Sequence, residues 1–503
     1  MSALRALTRN ISWNYVQAGT SLIAVFLLTP IVLQHLGEVG FGLWVLLKAI
    51  LFYLAFLDLG FYNALVKYLA EYGEREDWPA ANGLLRTTTS VLAVLGGIAL
   101  GISALIAWQI VPHVFDVPSE RLAEVRLATV LLGLDLLLAF PTSVLAAVFE
   151  SRQRFDLLSG VSVAATVMLA AGTVAGLRLG YGILALVVVE IAGTLFTALS
   201  FGWLLRRSYP EVRPGFGPIG GRELRRIRGY STWTSLNEVL AEGSAEVEKL
   251  LIPIVLSVSL LTPYTLIGTV AAAIFLAVEP ITDTFFPLSS AYDAKNDRPR
   301  LRALLIRGTK LVMAISLPLA VAVIAYGERF ILAWVGDDQV TIPTGVMPLV
   351  VVSFSVTAFI MTGTTILLAL ARVREVFWMG ITELALAVAL VLLTVPRFQL
   401  IGLAGSLLAA NLAVTFLWIV PFVSRLLGQS PTEFVFQSLV RPLIAAVPMA
   451  LFMVWMERQL PGAALWELAV KATLAGCVYL GAFYLVSLTA EERALCAASL
   501  RNR

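Results

Sequence analysis

The residues whose types and spacing could do chemistry are charged side chains set inside long apolar runs. The densest group is Glu238, Glu242, Glu246, Glu248 and Lys249. On a helix that turns about 100° per residue, Glu238, Glu242 and Lys249 fall within about 40° of one another, with Glu246 and Glu248 flanking that face. An ionisable side chain at a bilayer centre costs about 2.5–3.5 kcal/mol, so several facing lipid together would cost on the order of 10 kcal/mol. The face must look into protein or a wet cavity. Two readings stand: Glu246 or Glu242 pairs with Lys249 and holds a bundle together, or Glu238, Glu242 and Lys249 line a cavity and meet a substrate.

Lys48 is the second candidate, in the middle of GLWVLLKAILFYLAFLDLG. It either snorkels to the headgroups or joins Lys249 in the space between two halves. In the second case the two lysines form a cationic site suited to a phosphate or pyrophosphate. Asp58, Asp135, Glu190, Glu246, Glu279, Asp283 and Glu383 are the acids inside apolar runs, residue types that serve proton or sodium coupling in bundle interiors. Glu279 and Asp283 share a helix face at i and i+4. For Asp58 and Asp283, near span ends, capping or pairing with basic residues at the surface is an equal reading.

Other chemistries lack their residues. The sequence holds 2 Cys and 2 His, with no metal-ligand spacing, so neither a metal nor another cofactor is expected. No GxxxxGK[ST] loop is present. The longest expected external loop, near Gly327 to Gly345, is short for a glycan polymerase or ligase, so the chain reads as a carrier and not an enzyme. Nothing points to a nucleic-acid partner.

These side chains need elements to hold them. In 503 residues, 59% are hydrophobic and 14% charged, and the mean hydropathy is +0.87. That is an all-α polytopic membrane protein. Apolar runs place spans near 11–34, 41–64, 87–111, 126–149, 157–178 and 182–205, then near 231–258, 264–290, 307–327, 346–371, 377–396 and 401–424. A last pair lies near 442–458 and 467–488, which makes about fourteen. The organisation is an N-lobe at 1–205, a basic cytoplasmic linker at 206–230, a C-lobe at 231–424, and a C-terminal helix pair with its tail at 425–503. The linker signal is the run of Pro210, Pro214, Gly215, Gly217, Pro218, Gly220 and Gly221. The first apolar run has no cleavage pattern and is expected to stay as an anchor.

Placing both termini in the cytoplasm puts most of the 36 Lys and Arg on that side, including Arg152, Arg154, Arg222, Arg225, Lys295, Arg298, Arg372 and Arg374. The seventh span is too charged for a hydropathy window, yet without it the cluster from Lys295 to Lys310 would be external. The opening hairpin also has a fainter copy. Pro30 is answered by Pro253, the turn at Gly40 and Phe41 by Pro263 and Tyr264, and Arg152 and Arg154 by Arg372 and Arg374 at an offset of 220. Two six-helix pseudo-repeats in one orientation imply alternating access by rocking, and they imply a self-sufficient monomer.

With TPIVLQHLGEVGFGLW, LDLGFYNALVKYLAE and EKLLIPIVLS on this frame, the chain resembles the polysaccharide-transporter branch of the multidrug/oligosaccharidyl-lipid/polysaccharide exporter superfamily. The resemblance implies a flippase of the bacterial plasma (inner) membrane. Its substrate would be a polyprenyl-pyrophosphate-linked oligosaccharide, and polysaccharide polymerase machinery would be a partner. Lys249 with Glu248 falls where such flippases show an acidic–basic pair in span seven, and Asp58 in their span-two Leu-Asp-Leu-Gly segment. The number of span-seven glutamates departs from the family, which keeps a proton- or sodium-coupled exporter of drugs or other amphiphiles as the alternative. Reporter fusions after Arg226 and after Arg302 should both report cytoplasm; an external signal at either breaks the fourteen-span topology.

Overall fold

The computed structural model describes residues 2–58, 60–115, 117–218, 243, 246–336, 338–460, 462, 464–490, 492 and 493. Among them every regular element is a helix. Ten helices are long and apolar enough to cross a membrane, and a bent pair makes an eleventh. Two of these are broken into two arms, so the polytopic architecture read from the sequence is the one observed. By internal packing the chain divides into two units, Met1–Thr262 and Pro263–Arg503. That boundary lies after the described part of the seventh span, which therefore groups with the first unit.

In the first unit α1 (Ser2–Ala55) is broken at Gly37, whose φ of 70° and ψ of 175° suit a residue without Cβ. A 3₁₀ turn at Phe56–Asp58 leads to α2 (Phe61–Glu74). Next come α3 (Trp78–Leu105), α4 (Leu122–Ser151), α5 (Phe155–Arg178) and α6 (Gly182–Ser208). The α3–α4 contact is close because of glycine: a Cβ at Gly133 would sit 2.5 Å from the Cβ of Ser103, and one at Gly96 would sit 2.8 Å from the Cα of Leu137. Small residues of this kind let membrane helices gain dispersion contact where lipid offers no hydrophobic drive.

The connector after α6 is not loose where it is described. Asn82 donates to the Glu211 carbonyl at 3.0 Å and accepts from the Arg213 amide at 2.7 Å. Ser90 and Gly217 exchange two bonds, at 2.8 and 3.0 Å. Arg152 lies over the rings of Trp78 and Tyr209 and pairs with Glu211 at 3.3 Å. Residues 209–218 are thus strapped along α3. Helical residues 246–255 follow.

The second unit holds α7 (Leu261–Ala271), α8 (Ala273–Asp283) and α9 (Phe285–Ala294), with α7 assigned to this unit from Pro263 onward. Helices α10 (Arg298–Val335), α11 (Val346–Ala369) and α12 (Val373–Val414) come next. Gln399, at φ 48°, breaks α12 into two arms, and a π turn at Thr415–Ile419 carries it into α13 (Val420–Leu427). Residues Pro431–Val435 lead into α14 (Arg441–Gln459), and α15 (Leu465–Val486) completes the pair. Helix α10 packs on α8, α11, α14 and α15. The core of the unit stacks Phe359 on Phe416 and on Phe434 and buries Tyr479 completely.

Three expectations are corrected. The turn paired with the first hairpin lies at 256–260, and Pro263 sits in the first turn of α7, where a missing N–H costs nothing. Helix α10 reaches Val335, so the loop near Gly327 to Gly345 shrinks to 336–345. The third concerns register. Arg154 and Arg372 each immediately precede a helix, each N–H bonds five residues back at 2.9 Å, and each follows a left-handed residue, Gln153 or Ala371. Arg154 is therefore the equivalent of Arg372, two residues away from the pairing read by offset.

At the end of the described chain, Thr489 and Glu492 form a reciprocal cap, the Thr489 amide on the Glu492 carboxylate at 2.8 Å and the Glu492 amide on the Thr489 hydroxyl at 3.3 Å. The same carboxylate receives Lys310 of α10 at 2.9 Å. Burial would raise the Glu492 carboxyl, but the hydrogen bonds from Lys310 and Thr489 outweigh it and hold it below the ordinary carboxylate value. Lys310 is only 3% exposed, so Glu492→Gln leaves a buried ammonium without its counter-charge. A loss of about 3 kcal/mol is expected. Because the folded value is the lower one, the contribution is complete at neutral pH and drains as pH falls below about 4.3. Melting curves of wild type and Glu492→Gln should differ at pH 7 and converge in acid.

Candidate functional site

Three helices of the first unit bring charges together. Lys48, on the second arm of α1, donates to Glu190 Oε1 of α6 at 3.1 Å, and its Nζ lies 5.5 Å from the Trp44 ring centroid. Asp135 of α4 is the third member. It is 6% exposed, it feels the charges of Glu190 and Lys48, and the Thr194 hydroxyl lies against its carboxyl. Its Oδ1 has no hydrogen-bond partner.

The register that assembles the group is set elsewhere. Gly182 begins α6 at φ +58°, and the Ile183 amide donates to Glu124 Oε1 of α4 at 2.8 Å. Glu124 thus caps a neighbouring helix whose own first turn supplies no cap. Three turns further along each helix, Asp135 and Thr194 meet. With Lys48, Glu190 and Asp135 ionised, the group carries one negative charge in excess. A buried carboxylate oxygen without a partner costs about 1–3 kcal/mol or more, and Asp135 Oδ1 is such an oxygen.

The second arm of α1 carries another contact set on its far side. Tyr53 donates to the Gly243 carbonyl at 2.6 Å. Thr262 Oγ1 donates to the Glu38 carbonyl at 2.6 Å, and a Cβ at Gly42 would lie 2.4 Å from the Val258 carbonyl oxygen. Gly42 and Tyr53 fall within about 20° of each other on the helix, and Lys48 lies about 120° away from Gly42. Lys249 bonds Glu246, the internal pairing left open by the sequence. Lys48 therefore lies about 120° around the arm from the side that Gly243, Val258 and Thr262 meet, and Lys48 and Lys249 each pair with their own glutamate.

The remaining sequence candidates are scattered. Asp58 accepts from the Gly60 amide at 3.0 Å and closes the turn into α2, the capping alternative. Glu279 and Asp283 are exposed on α8 without an ion pair among the described residues, and Glu383 is half-buried in α12. Glu238 and Glu242 lie outside the described residues. Among the described residues no three His, Cys, Asp or Glu group as a metal site. Sequence reasoning missed Thr194, although its place one turn after Glu190 was visible. It also missed Glu124, Tyr53 and Glu492, whose partners lie too far along the chain for spacing to show.

This fold defines a class. The chain superimposes on an inward-facing multidrug resistance MATE family transporter of the MOP superfamily, at TM-score 0.69 and 14% identity, covering 82% of this chain and 96% of that one. It superimposes on the lipid II flippase MurJ in an inward closed conformation at TM-score 0.68 and 12% identity, covering 93% and 99%. A mutant of the Vibrio cholerae MATE transporter VcmN follows at 0.55 and 12%, covering 86% and 99%. A comparison with curated protein sequences gives no match. The model of the family described as polysaccharide biosynthesis protein matches residues 36–341. The chain belongs to that family.

If Lys48 and Glu190 are coupled as drawn, Lys48→Met and Glu190→Gln should each lower the melting temperature. The double variant should then lose less than the sum, by about 0.5–3 kcal/mol for residues in contact. Strict additivity in that double-mutant cycle breaks the pair.

Proposed function

We propose that this chain flips a lipid-linked oligosaccharide of the polyprenyl-pyrophosphate type from the inner to the outer leaflet of the bacterial plasma membrane, by alternating access, for cell-surface polysaccharide biosynthesis. The observation that carries the reading is the Lys48–Glu190–Asp135–Thr194 group inside a chain of a polysaccharide-biosynthesis family. The Lys48 side chain is 41% exposed although it is paired, so an anionic headgroup can compete with Glu190 for it. When a pyrophosphate takes Lys48, Glu190 and Asp135 are left as two adjacent acids. A proton or small cation must then enter to offset them. Binding and coupling thus become one exchange of counter-charges. Outward movement of the anionic headgroup gains about 2.3 kcal/mol per charge per 100 mV from an inside-negative potential. Lys249 with Glu246 is a second place for the same exchange. The protein would act as a monomer and hand its product to polymerase machinery.

A second reading, a proton- or sodium-coupled exporter of amphiphilic cations, is favoured by the excess of acids over base in the group. The two part on one measurement. Polyprenyl-linked glycans are profiled by mass spectrometry in cells lacking the protein and in cells with it restored, with an external glycosidase probing the leaflet. One lipid-linked glycan that accumulates shielded from the enzyme is the expected result, and an unchanged lipid pool favours the exporter. The Lys48→Ala, Lys249→Ala double variant should insert normally yet accumulate the shielded lipid; normal glycan export by it removes both lysines from substrate binding.

A further inference from the structure

Unlike Lys48, Arg126 of the first unit has no counter-charge among the described residues. Helix α3 ends in a π turn at Ile106–Ile110 and continues as Val111–Val114 with Pro112 in its first turn. Proline offers no N–H to the turn before it, and the widened turn sets Ala107 fully buried beside Trp108 that is 59% exposed. Arg126, near the start of α4, lays its guanidinium over that indole, 4.8 Å from the ring centroid. Its Nε is buried and has no hydrogen-bond partner, and no acid among the described residues pairs with it. The nearby charged groups are committed: Glu124 to the Ile183 amide, and Arg121 to the Leu36 carbonyl.

A planar cation stacked on tryptophan, with an unused donor and a place about one turn inside the end of a membrane helix, matches what lies at that depth in a bilayer, the phosphate of a lipid. Guanidinium forks fit phosphate oxygens in pairs, and the indole stacks on the guanidinium plane. We propose that Arg126 and Trp108 form a binding site for the phosphate of an anionic lipid. With both termini in the cytoplasm, as the sequence leads one to expect, the site opens to the outer leaflet; the leaflet rests on that reading, but the chemistry does not. Two sources share the chemistry, a resident anionic phospholipid and the polyprenyl pyrophosphate of a transported glycan.

The test is native mass spectrometry of the purified full chain titrated with phosphatidylglycerol, with diacylglycerol as the phosphate-free control. Wild type should retain one tight phosphatidylglycerol that Arg126→Gln binds at least tenfold more weakly. Arg126→Lys should fall between them, since it keeps the charge and loses the fork. Polyprenyl phosphate is then added as competitor: displacement at tenfold lower concentration than phosphatidylglycerol itself assigns the site to the carried lipid, and its failure assigns it to the resident one. Equal retention by Arg126→Gln and wild type, or equal retention of the two glycerolipids, overturns the proposal. If Arg126→Gln does not fold, Trp108→Leu is read instead, and unchanged retention there overturns it equally. The phosphatidylglycerol arm involves no transport, so its outcome and that of the glycan profile are separable.

Discussion

Hydrocarbon offers neither water nor ions to an exposed polar group, and the rest of this structure depends on that constraint. Each helix must satisfy its own backbone, and a buried charge is costly without an opposite charge within reach. Two of the long helices are broken by a single non-helical residue, which for Gly37 costs little and for Gln399 is a strained conformation. The π turns at 106–110, 415–419 and 436–440 bend without leaving the helix. Deep charges come in bonded groups: Lys48 with Glu190, Lys310 with Glu492, and Lys471 with Glu457, which also bonds Arg329.

The same economy explains why the chain uses one turn twice. Between α2 and α3, Asp77 accepts the Ala80 amide at 3.1 Å, its own amide bonds the Tyr72 carbonyl, and Glu76 is left-handed at φ 54°. Between α9 and α10, Asp297 accepts the Arg300 amide at 3.1 Å, its amide bonds the Tyr292 carbonyl, and Asn296 stands at φ 51°. Proline follows two residues later in both, at Pro79 and Pro299. A helix start needs an acceptor for its free N–H groups and tolerates proline there. The residues are therefore held in place by hydrogen bonds while the intervening apolar runs drift. By the next turn, at Arg154 and Arg372, the second copy has become two residues shorter.

That drift marks where sequence reading succeeds and stops. Spans are legible because length and hydropathy are imposed by bilayer thickness, and the repeat because capping chemistry is local. The pattern Tyr-x-x-x-x-Asp-x-Pro was in plain view and gives a sharper alignment than the apolar hairpin, which paired Pro263 with a turn it does not make. Pairings across helices are not local. Nothing near Lys48 names Glu190 as its partner, and a lysine that snorkels, one that binds anions and one in an ion pair look alike in a string of letters. Lys249 was more legible because its glutamate lies one turn away on the same helix.

The ion pairs also differ in a way that separates support from function. Lys310 and Lys471 are each 3% exposed; Lys310 is held by both oxygens of Glu492, and Lys471 donates to the Gly462 carbonyl with Glu457 3.5 Å away as its counter-charge. Opening such a pair strands a charge in a dry place, so these pairs act as locks that tie α10 to the chain end and α14 to α15. Lys48 is half exposed, has one glutamate oxygen, and stands beside a third group whose carboxylate oxygen is unused. In the proposed exchange another anion would replace Glu190 on Lys48, leaving that acid beside Asp135 with a counter-charge still to be found.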